Sequence, residues 1–371
     1  MKQSPFKFGE IVTGQHFTNR ETEIESLQKN FLSSQNTIII SPRRYGKSSL
    51  VKEASERFLN IEKGYYFCFL DCMYVYSEEE FYSRFATAIL KAACNNQEEF
   101  IQLAKKAMKG SRVTSTVTGE PLLELDRNYI KDNIYAILNL PRTIVDKKQK
   151  KVIVCIDEFQ NISRFDKNHQ LQSRLRSAWQ HHDQVGYILY GSRNRMTEIF
   201  NMTNGPFYKF GETLYLNRIR TKRLREYVVN AFHSTGKEIS KDICNAVIDT
   251  VENHPYYLQQ FASIIWFISG KKVTKADFSE AKKALISYNL NLYIELLDNL
   301  TNYQIGFLKA LLSKEDRLYS AEVISAYKLG STANVRRMYN ALTNKGIIVK
   351  EVDRMAFADP VFKLIAEERI L

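Results

Sequence analysis

Ser41-Pro42-Arg43-Arg44-Tyr45-Gly46-Lys47-Ser48-Ser49-Leu50 is the stretch from which the rest of the chain is read. A short β-branched run, Thr37-Ile38-Ile39-Ile40, stands before it, and Leu50-Val51-Lys52-Glu53-Ala54 continues it as the first turns of a helix. Strand, small-residue loop, Gly-Lys-Ser and helix is the order that a phosphate-binding loop requires. Such a loop turns backbone N–H groups toward a polyphosphate and adds the positive end of a helix. On this reading residues 41–49 wrap the phosphates, Lys47 reaches the β- and γ-phosphates, and the Ser48 hydroxyl ligates Mg²⁺. The usual pattern begins with glycine. Ser41 takes that place here, a small residue less comfortable at positive φ. The bland alternative is a basic surface turn between a strand and a helix.

A second stretch adds weight. Val152-Ile153-Val154-Cys155-Ile156 runs into Asp157-Glu158, an apolar strand ending in two acids, which is the Walker B arrangement. A continuous apolar run suits a parallel strand buried on both faces, and ligands bind beyond the C-terminal ends of such strands. Asp157 would hold Mg²⁺, and Glu158 would orient or deprotonate the attacking water. A further buried strand, Val185 onward, ends in Tyr190-Gly191-Ser192. The Ser192 hydroxyl at that tip either senses the γ-phosphate or the lytic water, or only caps the next helix. Its place beside the acids favours sensing.

The chain has 371 residues, 44% hydrophobic and 25% charged, enough for about two or three domains of ordinary globular composition. Met1-Lys2-Gln3-Ser4-Pro5 leads into no apolar segment, and the longest apolar stretch, residues 261–268, is far too short to span a bilayer. The five cysteines show no zinc spacing and read as buried thiols of a reducing compartment. A cytoplasmic protein without a membrane partner is expected. Net charge is +12, and residues 141–240 hold 18 Lys and Arg against 9 Asp and Glu, whereas residues 290–371 hold 11 against 10. A polyanionic partner such as DNA would meet the middle of the chain first.

The remaining segments fall into order around these motifs. Residues 18–27 read as a helix capped by Thr18 or Asn19, with Ile24, Leu27, Phe31 and Leu32 on one face. It either lies on the adenine side of a nucleotide or simply covers the sheet. Tyr65-Tyr66-Phe67-Cys68-Phe69-Leu70 is another strand, and residues 112–117 and 122–125 form a hairpin about Gly119. One helix is expected from about 128 to 145, and the charge run from 146 to 151 reads as a solvated loop. A last strand spans 213–216. Residues 222–285 look all-helical, with Pro255 in the first turn of a helix that aims at the nucleotide base. Helices at 301–312, 320–326 and 332–343, the last capped by Ser331, precede strands at 347–352 and 355–358 joined by Asp353-Arg354. Helices followed by a hairpin make a winged helix. Asn334, Arg336, Arg337 and Asn340 would lie on or beside its recognition helix. The expected domains are residues 1–220, 221–290 and 291–371.

Residues 17–27 and 41–50, Ile156-Asp157-Glu158-Phe159-Gln160, Tyr190-Gly191-Ser192, His254-Pro255-Tyr256-Tyr257-Leu258-Gln259 and Asp359-Pro360-Val361-Phe362 cover nearly the whole chain. Together they resemble the archaeal-type ATPases of the STAND branch of AAA+-related P-loop ATPases, which also occur in bacteria. The resemblance implies an α/β P-loop NTPase fold of the ASCE type with sheet order 5-1-4-3-2, a helical lid and a winged helix. It also implies ATP binding with slow, partner-regulated hydrolysis. Pro255 matches the family's Gly-x-Pro lid motif, with Asn253 in place of the glycine. Lys209 stands where relatives often carry arginine, so no arginine finger is named.

Three functions follow. The first is an ATP-driven switch whose lid and winged helix respond to nucleotide and are read by a protein partner. The second is a DNA-binding ATPase similar to those of replication origins or transposition, using the basic 141–240 region or the winged helix. The third is a scaffold that keeps nucleotide as a structural ligand, which the intact acid pair argues against.

Overall fold

The computed structural model describes residues 3–350 and 355–371. The chain divides into two compact units, Thr13–Asn217 and Arg218–Leu371, and residues 3–12 fold with the second.

The first unit is built on five parallel strands: β1 (Thr37–Ser41), β2 (Tyr65–Asp71), β3 (Lys151–Asp157), β4 (Val185–Ser192) and β5 (Glu212–Tyr215). Their spatial order is β2-β3-β4-β1-β5, which read from the other edge is the expected 5-1-4-3-2. Alternate residues of each central strand serve opposite cores. Ile38, Ile40, Val152, Val154, Ile156 and Leu189 face one, while Ile39, Ile153, Cys155, Ile188 and Tyr190 face the other. Both faces are dry, which is why these strands read as unbroken apolar runs. The helices Glu21–Leu32 and Lys47–Ile61 supply Ile24, Leu27, Phe31, Leu50, Val51 and Phe58 to the second core.

The first core is larger because the chain between β2 and β3 adds four helices, Glu78–Ala92, Gln97–Ala107, Arg127–Leu138 and Leu140–Lys148, and a hairpin. The hairpin pairs Arg112–Ser115 with Pro121–Glu124 and buries Leu123. The single helix expected over 128–145 is two. Pro141 sits in the first turn of the second, where its missing N–H costs nothing, while one continuous helix would set its ring against a carbonyl four residues back. The charge run at 146–151 is a loop only at residues 149–150. It ends that helix at Lys148, turns through Gln149 at φ +54° and starts β3. The helix Glu21–Leu32 is preceded not by a Thr18 or Asn19 cap but by Arg20 at φ +80°, whose buried guanidinium holds Glu23 and the Asn217 carbonyl. Leu32, expected on the apolar face, is exposed.

The second unit is helical except for a small hairpin. Its helices are Thr221–Ser234, Lys241–Thr250, Pro255–Ile268, Lys275–Asp298, Asn302–Leu312, Ala321–Ala326, Thr332–Asn344 and Pro360–Ile370. Lys275–Asp298 is continuous through residue 290. Ser331 caps Thr332–Asn344 by accepting the Asn334 N–H. Strands Ile348–Lys350 and Met355–Phe357 are antiparallel. The expected strand residues Glu351 and Val352 and the turn Asp353-Arg354 lie outside the described residues. Near the start of the chain, Phe6 packs on Tyr227 and Phe232, and Phe8 on Tyr256. All five cysteines are free. No described helix is long and apolar enough to cross a membrane.

Candidate active site at the C-terminal ends of the strands

β1 ends at the buried Ser41. The loop then exposes Arg43 and Arg44, buries Tyr45, half-buries Pro42 and enters the helix Lys47–Ile61 through Gly46. Its left-handed residues are Arg44 at φ +62° and Gly46 at φ +81°. Ser41 is ordinary extended backbone in register with Ser192, and its Oγ donates to the Pro42 carbonyl at 2.8 Å. Serine therefore replaces the usual glycine here without a left-handed conformation to support. Ser49 is buried in the first turn of the helix. Lys47 is buried beside it, and its Nζ reaches the Pro42 carbonyl at 3.4 Å. Burial pushes the Lys47 ammonium below its ordinary value. Glu158 and Asp157 pull it back up, and Arg43 pushes it further down.

The acids arrive on β3. Ser48 Oγ donates to Asp157 Oδ2, which ties the first turn of the helix to the end of β3. Asp157 Oδ1 accepts the Glu158 N–H at 2.8 Å, and the Asp157 carbonyl accepts the Cys72 N–H at 3.0 Å. Burial pushes the Asp157 carboxyl up to about 6; the Ser48 bond opposes this, Glu158 adds to it, and Lys47 opposes it. Glu158 itself turns at φ +49° into the short helix Phe159–Arg164. Gln160, on that turn, donates from Nε2 to Glu158 Oε2 at 2.5 Å.

These residues fit a nucleoside triphosphate and Mg²⁺. A 15-residue helix begins at the loop with Gly46 as its left-handed N-cap and no side chain capping it, so the orphan N–H groups of its first turn suit an anion. A buried ammonium stands beside it. Ser48 and Asp157 form a hard oxygen pair of the kind Mg²⁺ takes alongside phosphate and water.

Ser192 closes β4. It occupies the N-cap position of the helix Arg193–Asn201, yet its side chain makes no capping bond, so the capping role considered from the sequence is not filled. The paired register of β3 and β4 ends at Ile156 and Leu189, so Ser192 reaches past Asp157 and lies alongside Ser41. Residues 41–49, 157, 158 and 192 are thus all placed at one edge of the first unit. Pro255 belongs to the second unit, at the first turn of Pro255–Ile268. The turn before it is left-handed twice, at Glu252 (φ +47°) and Asn253 (φ +59°). Asparagine is the side chain that best stands in for glycine in that conformation. Asn253 also donates to the Ile219 carbonyl at 2.8 Å and to Thr221 Oγ1 at 2.9 Å. Sequence reasoning assigned Gln160 and Gly191 no function. The only signal was their adjacency to the acid pair and to Ser192.

A family model described as "ATPase domain predominantly from Archaea" matches residues 17–261, and one described as "Probable winged helix domain" matches residues 291–368. No curated protein matches in sequence. Among solved structures, the chain is similar to the Walker-type ATPase PABY2304 of Pyrococcus abyssi (17% identity, 98% of this chain and 99% of that one, TM-score 0.69). It is similar to the ORC2 protein of Aeropyrum pernix, solved as ADPNP-ADP complexes (12%, 95% and 93%, TM-score 0.57). It is also similar to the ORC1 protein of the same organism, solved in complex with DNA (13%, 96% and 94%, TM-score 0.50).

Proposed function

Because the chain belongs to the family of ATPase domains found predominantly in Archaea, we propose that it is an ATP-binding and ATP-hydrolysing molecular switch of the STAND type, in which nucleotide state sets the position of the helical lid and winged helix. The observation that carries this reading is the bond between Ser48 and Asp157, which joins the phosphate-binding loop to the acid strand. Lys47 and the N–H groups of residues 43–49 bind and orient the β- and γ-phosphates. Ser48 and Asp157 hold Mg²⁺, which when bound neutralises charge on those phosphates. Glu158 takes a proton from the attacking water at its carboxylate, and Ser192 positions that water or the γ-phosphate. Pro255 starts the helix Pro255–Ile268, the lid helix of this reading. Steady-state ATP hydrolysis tests this. Lys47→Ala and Glu158→Gln should each lose roughly 10²-fold or more in turnover. Ordinary turnover in both removes the assignment.

A DNA-binding ATPase is the second reading. It is favoured by the winged-helix match, by the likeness to an ORC1 protein solved with DNA, and by the exposure of Arg336, Arg337 and Asn340 on the helix Thr332–Asn344. The basic middle of the chain argues less strongly. Arg142, Lys148, Arg174, Arg218 and Arg223 from that region each pair with an acid of their own unit. Duplex binding that weakens steeply with salt, together with turnover raised by DNA, would select this reading; no binding at low salt would discard it.

A further inference from the structure

We propose that Gln160 is a positioning residue for Glu158 and that it ties the acid to the tip of β4 through Gly191. The inference rests on Glu158 acting on water, as proposed above. Gln160 is 2% exposed. One end of its amide donates to Glu158 Oε2 at 2.5 Å. The other end, Oε1, is buried with no hydrogen-bond partner among the described residues. That oxygen lies against Gly191, where an added Cβ would come within 1.8 Å of it. Glycine at 191 is therefore a matter of space. Its φ is not positive, so the backbone conformation does not demand it.

The turn that carries Gln160 is fixed independently. Phe159 is fully buried and packs against Phe200, Phe207 and Trp179. The adjacent Asn161 donates to the Cys72 carbonyl. The amide thus sits on a rigid support between the acid and the residue before Ser192. It fixes one carboxylate oxygen of Glu158 and leaves Oε1 of Glu158 for water. A buried acceptor without a partner is costly, and the orientation that accepts this cost is the one that gives Glu158 its donor.

Gln160→Met removes the amide while keeping similar volume. Its kcat is expected to fall roughly 10²-fold, the scale of a misplaced reacting group, with KM and directly measured ATP affinity unchanged. Gly191→Ala is expected to do the same by displacing the amide. The double variant is expected to be no slower than Gln160→Met, since no amide remains to displace. Apart from turnover, the Gln160 side-chain amide proton in the nucleotide-free protein is expected to move upfield in Glu158→Ala, because its charged acceptor is gone. Should Gly191→Ala fail to fold, Gln160→Met and the amide resonance decide the matter. Wild-type kcat in Gln160→Met with Glu158→Gln inactive overturns the inference and leaves Glu158 in its role. Ordinary turnover in Glu158→Gln overturns both. A loss that appears in KM or ATP affinity instead of kcat overturns it as well, by making Gln160 a binding or purely structural residue.

Discussion

Tyr257 donates its hydroxyl to Asp359 Oδ2 at 2.5 Å, joining the helix Pro255–Ile268 to the start of the last helix, Pro360–Ile370. Tyr293, on Lys275–Asp298, donates to the same oxygen at 2.6 Å. Asp359 Oδ1 accepts the N–H groups of Val361 and Phe362, both at 2.9 Å. One carboxylate therefore caps a helix and satisfies two phenols from other helices. Asp359→Ala should cost about 3 kcal/mol, from a lost cap and the loss of the acceptor shared by two phenols that otherwise bond to each other at 2.5 Å. Tyr257→Phe, which removes one donor, should cost about 1 kcal/mol. Calorimetry of the full chain would show the order of the two. A melting temperature unchanged in Asp359→Ala would contradict the role given to this carboxylate.

The raised Asp157 carboxyl makes the nucleotide-free protein sensitive to pH. The folded chain holds that proton up to about pH 6, against an ordinary value of 3.8. The folded state therefore binds more protons across that interval, and this contribution to stability is present at low pH and lost as pH rises through about 6. Asp157→Asn should flatten that slope and raise the melting temperature at neutral pH, while abolishing stabilisation by Mg²⁺ with ATP. A variant no more stable than wild type at neutral pH would show that burial of this charge carries no cost.

Lys47 is a buried cation beside the loop, and ATP is its expected partner. With ATP at about 100 times its Kd, the wild type should gain about 2.7 kcal/mol of stability. Lys47→Ala should gain almost nothing at the same concentration. Equal thermal shifts in the two proteins would separate Lys47 from nucleotide binding.

Asn253 tests the turn before Pro255–Ile268. At φ +59° alanine is strained and glycine is not. Both substitutions lose the bonds to Ile219 and Thr221. Asn253→Ala should therefore be less stable than Asn253→Gly by about 1 kcal/mol. Equal stability would mean that the side-chain bonds, and not the backbone, set the residue here.

The parallel sheet was legible because its central strands are dry on both faces, so Ile38, Ile39, Ile40 and residues 152–156 show no polar interruption. The loop was legible because glycine, lysine and serine there are set by short-range geometry. Three kinds of information were hidden. The break at Asn139 turns on one proline inside an otherwise helical pattern. The helices Gln97–Ala107 and Pro360–Ile370 went unread beside stronger motifs. The pairings of Gln160 with Glu158 and Gly191, and of Tyr257 with Asp359, join residues whose meeting depends on the finished packing; Tyr257 and Asp359 are 102 positions apart. Ser41 was a mismatch in the motif and an ordinary strand end in the fold.

The placement of residues 3–12 bears on the order in which the chain is made. Phe6 is synthesised long before Tyr227 and Phe232, the rings it packs against. The sheet-bearing unit, Thr13–Asn217, is contiguous and can close while translation continues. Residues 3–12 have to wait, Phe6 and Phe8 unprotected, until the ribosome has passed the helices that carry Tyr227, Phe232 and Tyr256. Deletion of residues 3–12 should therefore disturb the unit Arg218–Leu371 and spare Thr13–Asn217, the unit next to them in sequence.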